Sequence, residues 1–286
     1  MTQQAGVLYV VATPIGNLDD LSPRARRVLA EVDLIAAEDT RHTARLLNHF
    51  GMRTPLLSLH DYNEAERAPR LVERLQTGQS VALVADAGTP LISDPGYDLV
   101  RAARAAGINV SPIPGPCALI AALSVSGLPT DRFVFEGFLP QKTAARHTRL
   151  GQQVRETRTL VYYEAVHRLA ESLDDMAQVF GGARPAVIAR ELTKLHESMR
   201  AGTLASLAEW ARTDSHAAKG EAVVLVSGAA TASNTADADS DAVLAVLLEE
   251  LPLKQAAALA AKLTGQKRNM LYQRALKISK TKNPSR

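Results

Sequence analysis

The sequence predicts an α/β protein with two α/β domains and a small C-terminal helical domain. Short apolar runs rich in β-branched residues, each bounded by turn residues, alternate with helical segments as far as Val226. The stretch GAATASNTADADSD at 228–241 breaks this alternation, and its small and polar residues are typical of a linker. Three short helical segments follow. The predicted divisions are therefore 1–118, 119–228, a linker at 229–241, and 242–286.

The first domain is predicted to contain a mostly parallel sheet with helices on its faces, because strands and helices alternate one by one. Ser22 followed by Pro23 marks the start of the first helix, since proline suits the first helical position. Thr40 is expected to cap the second helix. Strands are predicted at 6–11, 32–36, 56–59, 81–85 and 109–113, and helices at 23–30, 40–48, 65–76, 97–106 and 117–126.

The second domain and the C-terminal region show fewer elements. Strands are predicted at 133–135, 158–163, 186–190 and 222–226, with a helix at 169–180. The C-terminal helices are predicted at 242–249, 254–263 and 267–278. Thr264 and Gly265 separate the last two, a spacing similar to that of a helix-turn-helix.

Composition excludes several classes of protein. Hydrophobic residues make up 46% and charged residues 22% of the 286 residues, as in globular domains. No apolar run approaches 18 residues and no signal-peptide pattern begins the chain, so we expect neither a membrane span nor secretion. The single cysteine, Cys117, excludes an internal disulfide and a cysteine-based zinc site. These features predict a cytoplasmic protein.

Charge is distributed unevenly along the chain. From residue 254 onward there are nine basic residues and no acidic one, which leaves 24 basic against 30 acidic residues in the rest. A basic tail on an acidic body indicates contact with a polyanion such as nucleic acid, although the last few residues fit a solvated terminus equally well. The basic residues are Lys254, Lys262, Lys267, Arg268, Arg274, Lys277, Lys280, Lys282 and Arg286.

Five polar loops follow the strands of the first domain. In an open parallel sheet, the carboxyl ends of the strands lie along one edge, where ligands bind. Glycine and proline in such loops let the backbone approach a ligand closely, although each loop alone could be only a turn. None contains the G-x-G-x-x-G or P-loop pattern. The loops are ATPIGN (12–17), AEDTRH (37–42), LHDYNE (59–64), DAGTPLISDPG (86–96) and PGPCA (114–118).

Several motifs together resemble the tetrapyrrole methylase fold of class III methyltransferases and, within it, the ribosomal RNA small-subunit methyltransferase I family. The combination of AEDTRHT with DAGTPLISDPG is the most specific, because neither is a general turn formula. The resemblance covers nearly the whole chain and includes ATPIGNLDDLSPRA, AEDTRHTARLL, DAGTPLISDPGYDLV, PIPGPCALIAALSVSGLP, FEGFLP, YEAVHRL, ARELTKLHE, KGEAVVLV and ELPLKQAAALAAKLTG.

The resemblance implies S-adenosylmethionine as methyl donor, bound in a cleft between the two α/β domains. It implies transfer to the ribose 2′-hydroxyl of a cytidine in the decoding region of 16S ribosomal RNA in the small subunit. It also implies a homodimer and no catalytic metal.

Residues that would bind the donor are carried over by the same resemblance. The loop that holds the methionine part reads Gly-Gly-Asp-Pro in the wider fold, whereas here Ala87 and Thr89 replace a glycine and the aspartate. Cys117 is interpreted as a packed thiol or as part of the ligand wall, because methyl transfer from a sulfonium needs no enzyme nucleophile. A role of Cys117 as a nucleophile remains the alternative interpretation. The implied donor contacts are Pro14, Ala87, Gly88, Thr89, Pro90, Ile92, Cys117, Ala118, Tyr163, Glu164, Leu192 and Ala222.

A ribose hydroxyl becomes a good nucleophile only when its proton leaves, so the reaction calls for a proton acceptor. Asp39, His60 and Asp61 are the predicted catalytic candidates, with Glu38 and Glu64 also at the same edge. His60 has the most suitable ordinary pKa, whereas an aspartate that ends a strand is often only a helix cap. No residue set has metal-ligand spacing, and no G-x-S-x-G is present. Predicted RNA contacts are Arg24, Arg41, Arg45, Lys267, Arg268 and Arg274.

Three hypotheses follow from the sequence. The first is an RNA ribose methyltransferase that uses S-adenosylmethionine, which the AEDTRHT motif and the basic tail favour. The second is a methylase of the same fold that acts on a tetrapyrrole or a protein. The third is a non-catalytic nucleic-acid-binding protein whose α/β body senses a metabolite.

Overall fold

The computed structural model describes residues 5–214, 220–230 and 235–282. Its strands are β1 (Val7–Val11), β2 (Leu34–Ala37), β3 (Leu56–Ser58), β4 (Val81–Val84), β5 (Asn109–Ile113), β6 (Phe133–Phe138), β7 (Thr159–Ala165), β8 (Pro185–Arg190), β9 (Ser198–Thr203) and β10 (Glu221–Val226). Its helices are α1 (Pro23–Glu31), α2 (Thr40–His49), α3 (Glu64–Gln76), α4 (Tyr97–Ala105), α5 (Ala118–Val125), α6 (Thr143–Gly151), α7 (Leu169–Phe180), α8 (Leu204–Thr213), α9 (Thr235–Glu250), α10 (Leu253–Thr264) and α11 (Arg268–Lys282). No helix in these described ranges combines the length and apolar composition needed to cross a bilayer.

The chain forms two compact units, residues 1–229 and residues 230–286. Within the first unit, β1 to β5 form a parallel sheet with the strand order β3-β2-β4-β1-β5. Helices α1 and α2 bury Leu29 and Leu47 against one face of this sheet, and α3 and α4 bury Leu71 and Leu99 against the other. The predicted parallel sheet with helices on its faces is confirmed.

Local capping explains where the first helices begin. The Ser22 hydroxyl accepts a hydrogen bond from the Ala25 amide at 3.1 Å, as the Ser22–Pro23 pair predicts. The prediction that Thr40 caps α2 is wrong, because Thr40 is already helical. The cap is Asp39, whose carboxylate accepts a hydrogen bond from the Arg41 amide at 2.8 Å.

The second sheet has the order β6-β7-β10-β8-β9, and among its strand pairs only β6 and β7 run parallel within the described residues. Helix α5 packs Leu119 and Leu123 on the face of the second sheet that is nearer to the loops of the first sheet. Helices α6, α7 and α8 cover the other face of the second sheet. The antiparallel pairs distinguish this half from the first.

The sequence patterns missed three elements of this half, α6, β9 and α8. Strand β9 is an almost fully exposed edge strand, so it shows no alternation of apolar residues. Helix α6 is anchored by an arginine: Arg146 is fully buried, pairs with Asp175 at 2.5 Å and donates to the carbonyl oxygens of Pro140 and Gln141. A buried arginine gives no apolar signal, because its burial depends on partners that lie elsewhere in the chain.

The second unit is a three-helix assembly around Leu244, Ala260, Leu271 and Ala275. The predicted turn between its last two helices is confirmed, with Gly265 in a left-handed conformation after α10. Helix α9 begins at Thr235, not near residue 242, so the linker predicted at 229–241 is too long at its C-terminal end. Residues 231–234 of the predicted linker, and Arg286 of the basic tail, lie outside the described residues.

Candidate active site

A cavity of about 410 Å³ lies between the carboxyl edge of the first sheet and the second sheet. Its wall comes from the loops after β1, β2 and β4 on one side and from β7, β8 and β10 on the other. This is the edge of the sheet at which the sequence predicts a ligand. The lining residues are Ile15, Glu38, Asp86, Ala87, Gly88, Thr89, Ile92, Ser93, Asp94, Ala118, Phe138, Tyr163, Glu164, Ala165, Val166, His167, Ala189, Leu192, Gly220, Glu221, Ala222 and Val223.

Hydrogen bonds join three of the edge loops into one structure. Thr13 and Gly88 exchange backbone hydrogen bonds of 2.8 and 3.0 Å, which connects the loop after β1 to the loop after β4. The Thr89 hydroxyl donates to the Pro116 carbonyl at 2.9 Å, which adds the loop after β5. The backbone that faces the cavity is therefore held in place before any ligand arrives.

The loop after β4 has an unusual backbone. Leu91 and Ser93, neither of them glycine, both have a φ of 72°. Such left-handed residues cost roughly 1–3 kcal/mol each and are concentrated at functional sites. Gly88 has a φ of 82°, and a Cβ there would lie 3.3 Å from Ile15 Cγ2, so glycine avoids both the strain of this conformation and a tight contact.

Glu64 fixes the far end of the same loop. This carboxylate is 6% exposed and accepts hydrogen bonds from the amides of Gly96 at 3.1 Å and Leu99 at 3.0 Å. These amides belong to the N-terminus of α4, where unpaired N–H groups favour a negative charge. Glu64 is therefore a helix-capping residue on a neighbouring helix, and the structure removes it from the proton-acceptor candidates.

The second half of the chain contributes a largely apolar wall. Tyr163 has its ring in edge contact with Phe135 and Phe138, at centroid distances of 4.9 and 5.6 Å, and its hydroxyl accepts from the Leu119 amide at 3.2 Å. Burial raises the pKa of Tyr163, and a hydrogen bond with the Cys117 thiol acts in the same direction. Tyr163 therefore stays protonated and serves as a wall and a hydrogen-bonding group, with Cys117 packed behind it.

Nine of the twelve predicted donor contacts line the cavity: Ala87, Gly88, Thr89, Ile92, Ala118, Tyr163, Glu164, Leu192 and Ala222. Of the others, Pro90 is buried in the same loop and Cys117 packs beside Tyr163. Pro14 lines a second cavity of about 380 Å³. The Glu164 carboxylate is already hydrogen-bonded to residues of the second half of the chain, because it accepts from Arg168 at 2.5 Å and from Ser172 at 2.6 Å.

Several carboxylates converge at the sheet edge. The Glu38 side chain accepts from the Asp86 amide at 3.3 Å, and the Asp86 side chain accepts from the Asp39 amide at 3.0 Å. Burial raises the pKa of Glu38, and the negative charge of Asp86 adds to the increase. Burial, together with the charges of Glu38, Asp86 and Asp61, raises the pKa of Asp94 to about 7. Sequence reasoning did not select Asp86 or Asp94, although both belong to the DAGTPLISDPG motif.

The predicted catalytic residues lie at this edge but differ in what they can do. Asp39 pairs with Arg41 at 2.7 Å, and hydrogen bonds from Arg41 lower the pKa of Asp39. His60 Nε2 lies 2.9 Å from the amide nitrogen of Asn63, and if that amide donates, the ring proton is on Nδ1. The Asp39 carboxylate is therefore already paired with Arg41, and His60 Nε2 already has Asn63 as its partner. Asp61 is exposed, and its charge reaches Glu38 and Asp94.

The predicted RNA contacts divide into two groups. Arg24 and Arg45 are exposed on α1 and α2, the Arg41 side chain is 87% exposed, and Arg45 lines the second cavity with Pro14. In the C-terminal unit, Lys267 and Arg268 are exposed at the turn before and at the start of α11. Arg274 differs, because it pairs bidentately with Asp241 at 2.8 Å and is half-buried.

Within the ranges that the structure describes, no group of three His, Cys, Asp or Glu side chains has an arrangement suited to a metal ion. The edge carboxylates are spread along different loops.

The fold and the cavity define a two-sheet methylase, and comparison with known proteins agrees. The model of the family Tetrapyrrole (Corrin/Porphyrin) Methylases matches residues 7–208, and the model named RsmI C-terminal HTH domain matches residues 234–279. The first match covers well over half of the chain, so the protein belongs to the tetrapyrrole methylase family and is a methyltransferase.

Curated relatives narrow the placement within that family. The chain is 60% identical to Ribosomal RNA small subunit methyltransferase I of Pseudomonas aeruginosa, over 95% of this chain and 97% of the relative. It is 54% identical to the protein of the same name from Escherichia coli O157:H7, over 95% of each chain. The protein is therefore a member of the ribosomal RNA small-subunit methyltransferase I group.

Solved structures support the fold alone, because their sequence identities are low. The methyltransferase CobJ superposes with a TM-score of 0.59 at 22% identity, covering 80% of this chain and 96% of that one. Uroporphyrin-III C-methyl transferase from Thermus thermophilus, complexed with S-adenyl homocysteine, gives a TM-score of 0.54 at 18% identity, covering 78% of this chain and 97% of that one.

Proposed function

We propose that this protein transfers a methyl group from S-adenosylmethionine to the ribose 2′-hydroxyl of a cytidine in the decoding region of 16S ribosomal RNA. The observation that carries the proposal is the cavity of about 410 Å³, built where nine predicted donor contacts meet. Its volume lies within the range of ligand pockets, about 300–1,000 Å³. The relatives named as small-subunit methyltransferases support the choice of RNA as acceptor.

The residues present fit the donor. Ala87, Gly88 and Thr89 line the cavity, and the amides and carbonyls of Ala87 and Thr89 suit the amino-acid end of the donor. The Gly88 backbone is bonded to Thr13, and its missing Cβ leaves room beside Ile15. Ile92 and Leu192 offer an apolar surface to the adenine ring. The bound donor supplies an electrophilic methyl group on a sulfonium. Thr89 stands where the wider fold has an aspartate, and this difference is compatible with donor binding. The Thr89 hydroxyl is already bonded to Pro116, and the Thr89 backbone remains available.

The chain's own task is to orient the acceptor and remove its proton. Two nearby features would guide the RNA: the exposed Arg24 and Arg41, and Arg45 at the second cavity. Arginine forks suit phosphate oxygens and fix the register of a nucleic acid. Asp86 lines both cavities, so a ribose held in the second would meet the donor cavity beside this carboxylate.

The C-terminal unit would contribute further contacts to the RNA. Its exposed cations Lys267 and Arg268 surround the start of α11, which is the second helix of the predicted helix-turn-helix pair. Arg274 contributes less in this proposal because Asp241 already neutralises it. A ribosomal RNA substrate implies that the reaction occurs in the cytoplasm, and we expect the enzyme to act as a homodimer, which sedimentation analysis would test.

The test is transfer of label from tritiated S-adenosylmethionine into three acceptors: immature small ribosomal subunits, free 16S RNA and a tetrapyrrole mixture. We expect label in the ribosomal material, and mass spectrometry of nuclease fragments should locate it on one cytidine ribose. Label confined to the tetrapyrroles would refute the proposal. Donor binding without transfer to any acceptor would instead support a metabolite sensor.

A further inference from the structure

The loop between β8 and β9, residues 191–197, has a strained and tightly bonded backbone. Glu191 and Thr193 have φ values of 49° and 65°, in the left-handed region that residues other than glycine rarely adopt. The Lys194 amide donates to the Glu191 carbonyl at 3.0 Å, and the Glu197 amide donates to the Lys194 carbonyl at 3.0 Å. Strained residues are concentrated at functional sites, so this loop calls for an explanation beyond the connection of two strands.

Lys194 extends from this loop to the first half of the chain. Its aliphatic stem lies against Gly16 in the loop after β1, where a Cβ on Gly16 would lie 2.4 Å from Lys194 Cγ and 2.8 Å from Lys194 Cε. Its ammonium nitrogen lies 3.0 Å from Glu191 Oε1 and 3.0 Å from Glu221 Oε2. Two carboxylates on separate segments therefore hold the end of the side chain while its stem covers Gly16.

The loop after β1 lines both cavities. Ile15 lines the large cavity, whereas Pro14 and Gly16 line the second one. At the start of this loop, Thr13 exchanges backbone hydrogen bonds with the loop after β4, as described above. Because Gly16 follows only a few residues later, the contact with Lys194 fixes the other end of the segment that lies between the two cavities.

The loop between β8 and β9 also forms part of the large cavity. Leu192 lines that cavity close to Lys194, and so do Gly220 and Glu221 of the neighbouring segment. A Cβ on Gly220 would lie 2.1 Å from Glu191 Oε1, so this glycine leaves the space that the Glu191 carboxylate occupies. Lys194 therefore joins the wall of the large cavity in the second half to the loop after β1 in the first half.

We propose that Lys194 is a positioning residue for methyl transfer, which fixes the loop after β1 so that the ribose in the second cavity meets the donor in the large one. The inference rests on the proposed function and adds a residue that none of the predicted sites contains. Lys194 touches neither reactant and acts through Gly16 and the residues beside it. The reaction needs the oxygen, the methyl carbon and the sulfur in line, and a displacement of about 1 Å can cost about 100-fold in rate.

The charges around Lys194 favour this role over a contact with RNA. A lysine that binds RNA directs its ammonium group at phosphate oxygens. The Lys194 ammonium instead faces Glu191 and Glu221, and its side chain is only 29% exposed. A phosphate at this point would also meet the carboxylate of Glu221, whose side chain is 72% exposed. The ion pairs are therefore suited to holding the stem against Gly16.

The test is the single-turnover rate of methyl transfer to small ribosomal subunits at saturating donor, for the wild type, Lys194→Ala, Lys194→Met and Lys142→Ala. Lys142→Ala is the matched control and should keep the wild-type rate, because Lys142 is exposed at the start of α6. Lys194→Ala should lose about 10–100-fold in rate, while its affinity for S-adenosylhomocysteine in calorimetry should change by no more than about threefold. Lys194→Met keeps most of the stem and should recover part of the rate.

A double variant tests the contact itself. Gly16→Ala places a methyl group where the Lys194 stem lies, so it should slow the transfer when Lys194 is present. In the Lys194→Ala background the same change should cost at least about fivefold less, because the effects of residues in contact are not additive. Urea denaturation of the wild type, the two single variants and the double variant measures the same coupling without RNA.

Three outcomes would overturn the role of Lys194 and leave the proposed function intact. They are a Lys194→Ala rate within about threefold of the wild type, a loss confined to the affinity for S-adenosylhomocysteine, and a loss of RNA affinity with a smaller salt dependence. Additive effects of Gly16→Ala and Lys194→Ala in both assays would overturn it as well. No transfer by the wild type to any ribosomal acceptor would instead overturn the proposed function, and the coupling in urea would still report on the contact.

Discussion

Replacement of Glu64 by alanine should destabilise the protein and loosen the loop after β4, which lines the cavity. The Glu64 carboxylate is buried and accepts hydrogen bonds from the Gly96 and Leu99 amides, at 3.1 and 3.0 Å. Each buried amide left unpaired costs about 1–3 kcal/mol, so the loss of the acceptor for both amides predicts a decrease of roughly 2–6 kcal/mol in the free energy of unfolding. Because Gly96 ends the loop that faces the cavity, the affinity for S-adenosylhomocysteine should fall as well.

Urea denaturation followed by circular dichroism measures the first effect, and calorimetry measures the second. Glu66→Ala on the same helix is the control: its carboxylate is exposed and pairs with Arg70 at 3.2 Å, so the free energy of unfolding should change by no more than about 0.5 kcal/mol. If Glu64→Ala unfolds at the wild-type urea concentration and binds the ligand equally well, the capping role assigned to Glu64 is wrong.

Three further changes test other parts of the structure. Gly88→Ala should weaken S-adenosylhomocysteine binding in calorimetry, because the added Cβ would press on Ile15. Gly107→Ala is the control and should leave the affinity unchanged, because Gly107 has a similar φ of 73° but open space around it. Equal affinities of the two variants would contradict the close approach of Gly88 to Ile15. Asp94→Asn should make the protein more stable in urea at pH 8 but not at pH 4. In the folded state the pKa of Asp94 is raised to about 7, so the wild type loses stability as the pH rises from about 4 through 7. The variant's gain in the free energy of unfolding at pH 8, discounted for solvent, is about 1–2 kcal/mol. A variant less stable than the wild type at pH 8 would count against the raised pKa. Truncation after Ala230 removes nine basic residues and should leave S-adenosylhomocysteine binding intact. It should reduce the slope of the logarithm of RNA affinity against the logarithm of salt concentration. An unchanged slope would exclude the tail from RNA contact.

The sequence by itself determined the order of elements in the first half and the edge of the sheet at which the cavity lies. Strand β5 and helix α7 have the predicted bounds, because periodic apolar residues and flanking turn residues act over a few positions. The family was also recognisable from the motifs, since the loops that face the cavity are continuous segments such as 86–96. The mainly antiparallel pairing of the second sheet could not be recognised in this way, because pairing direction depends on strands far apart in the chain.

Only the tertiary structure decided the roles of the individual acidic residues. Asp39 ends a strand like the other candidates, yet its neighbour Arg41 neutralises it. Glu64 reaches amides 32 and 35 residues away, and the carboxylates that act on Asp94 come from the loops after two other strands and from its own loop. Apart from Asp39, whose partner lies two residues away, these carboxylates have their neighbours on distant segments, so no local pattern encodes the burial or the capping role of each one.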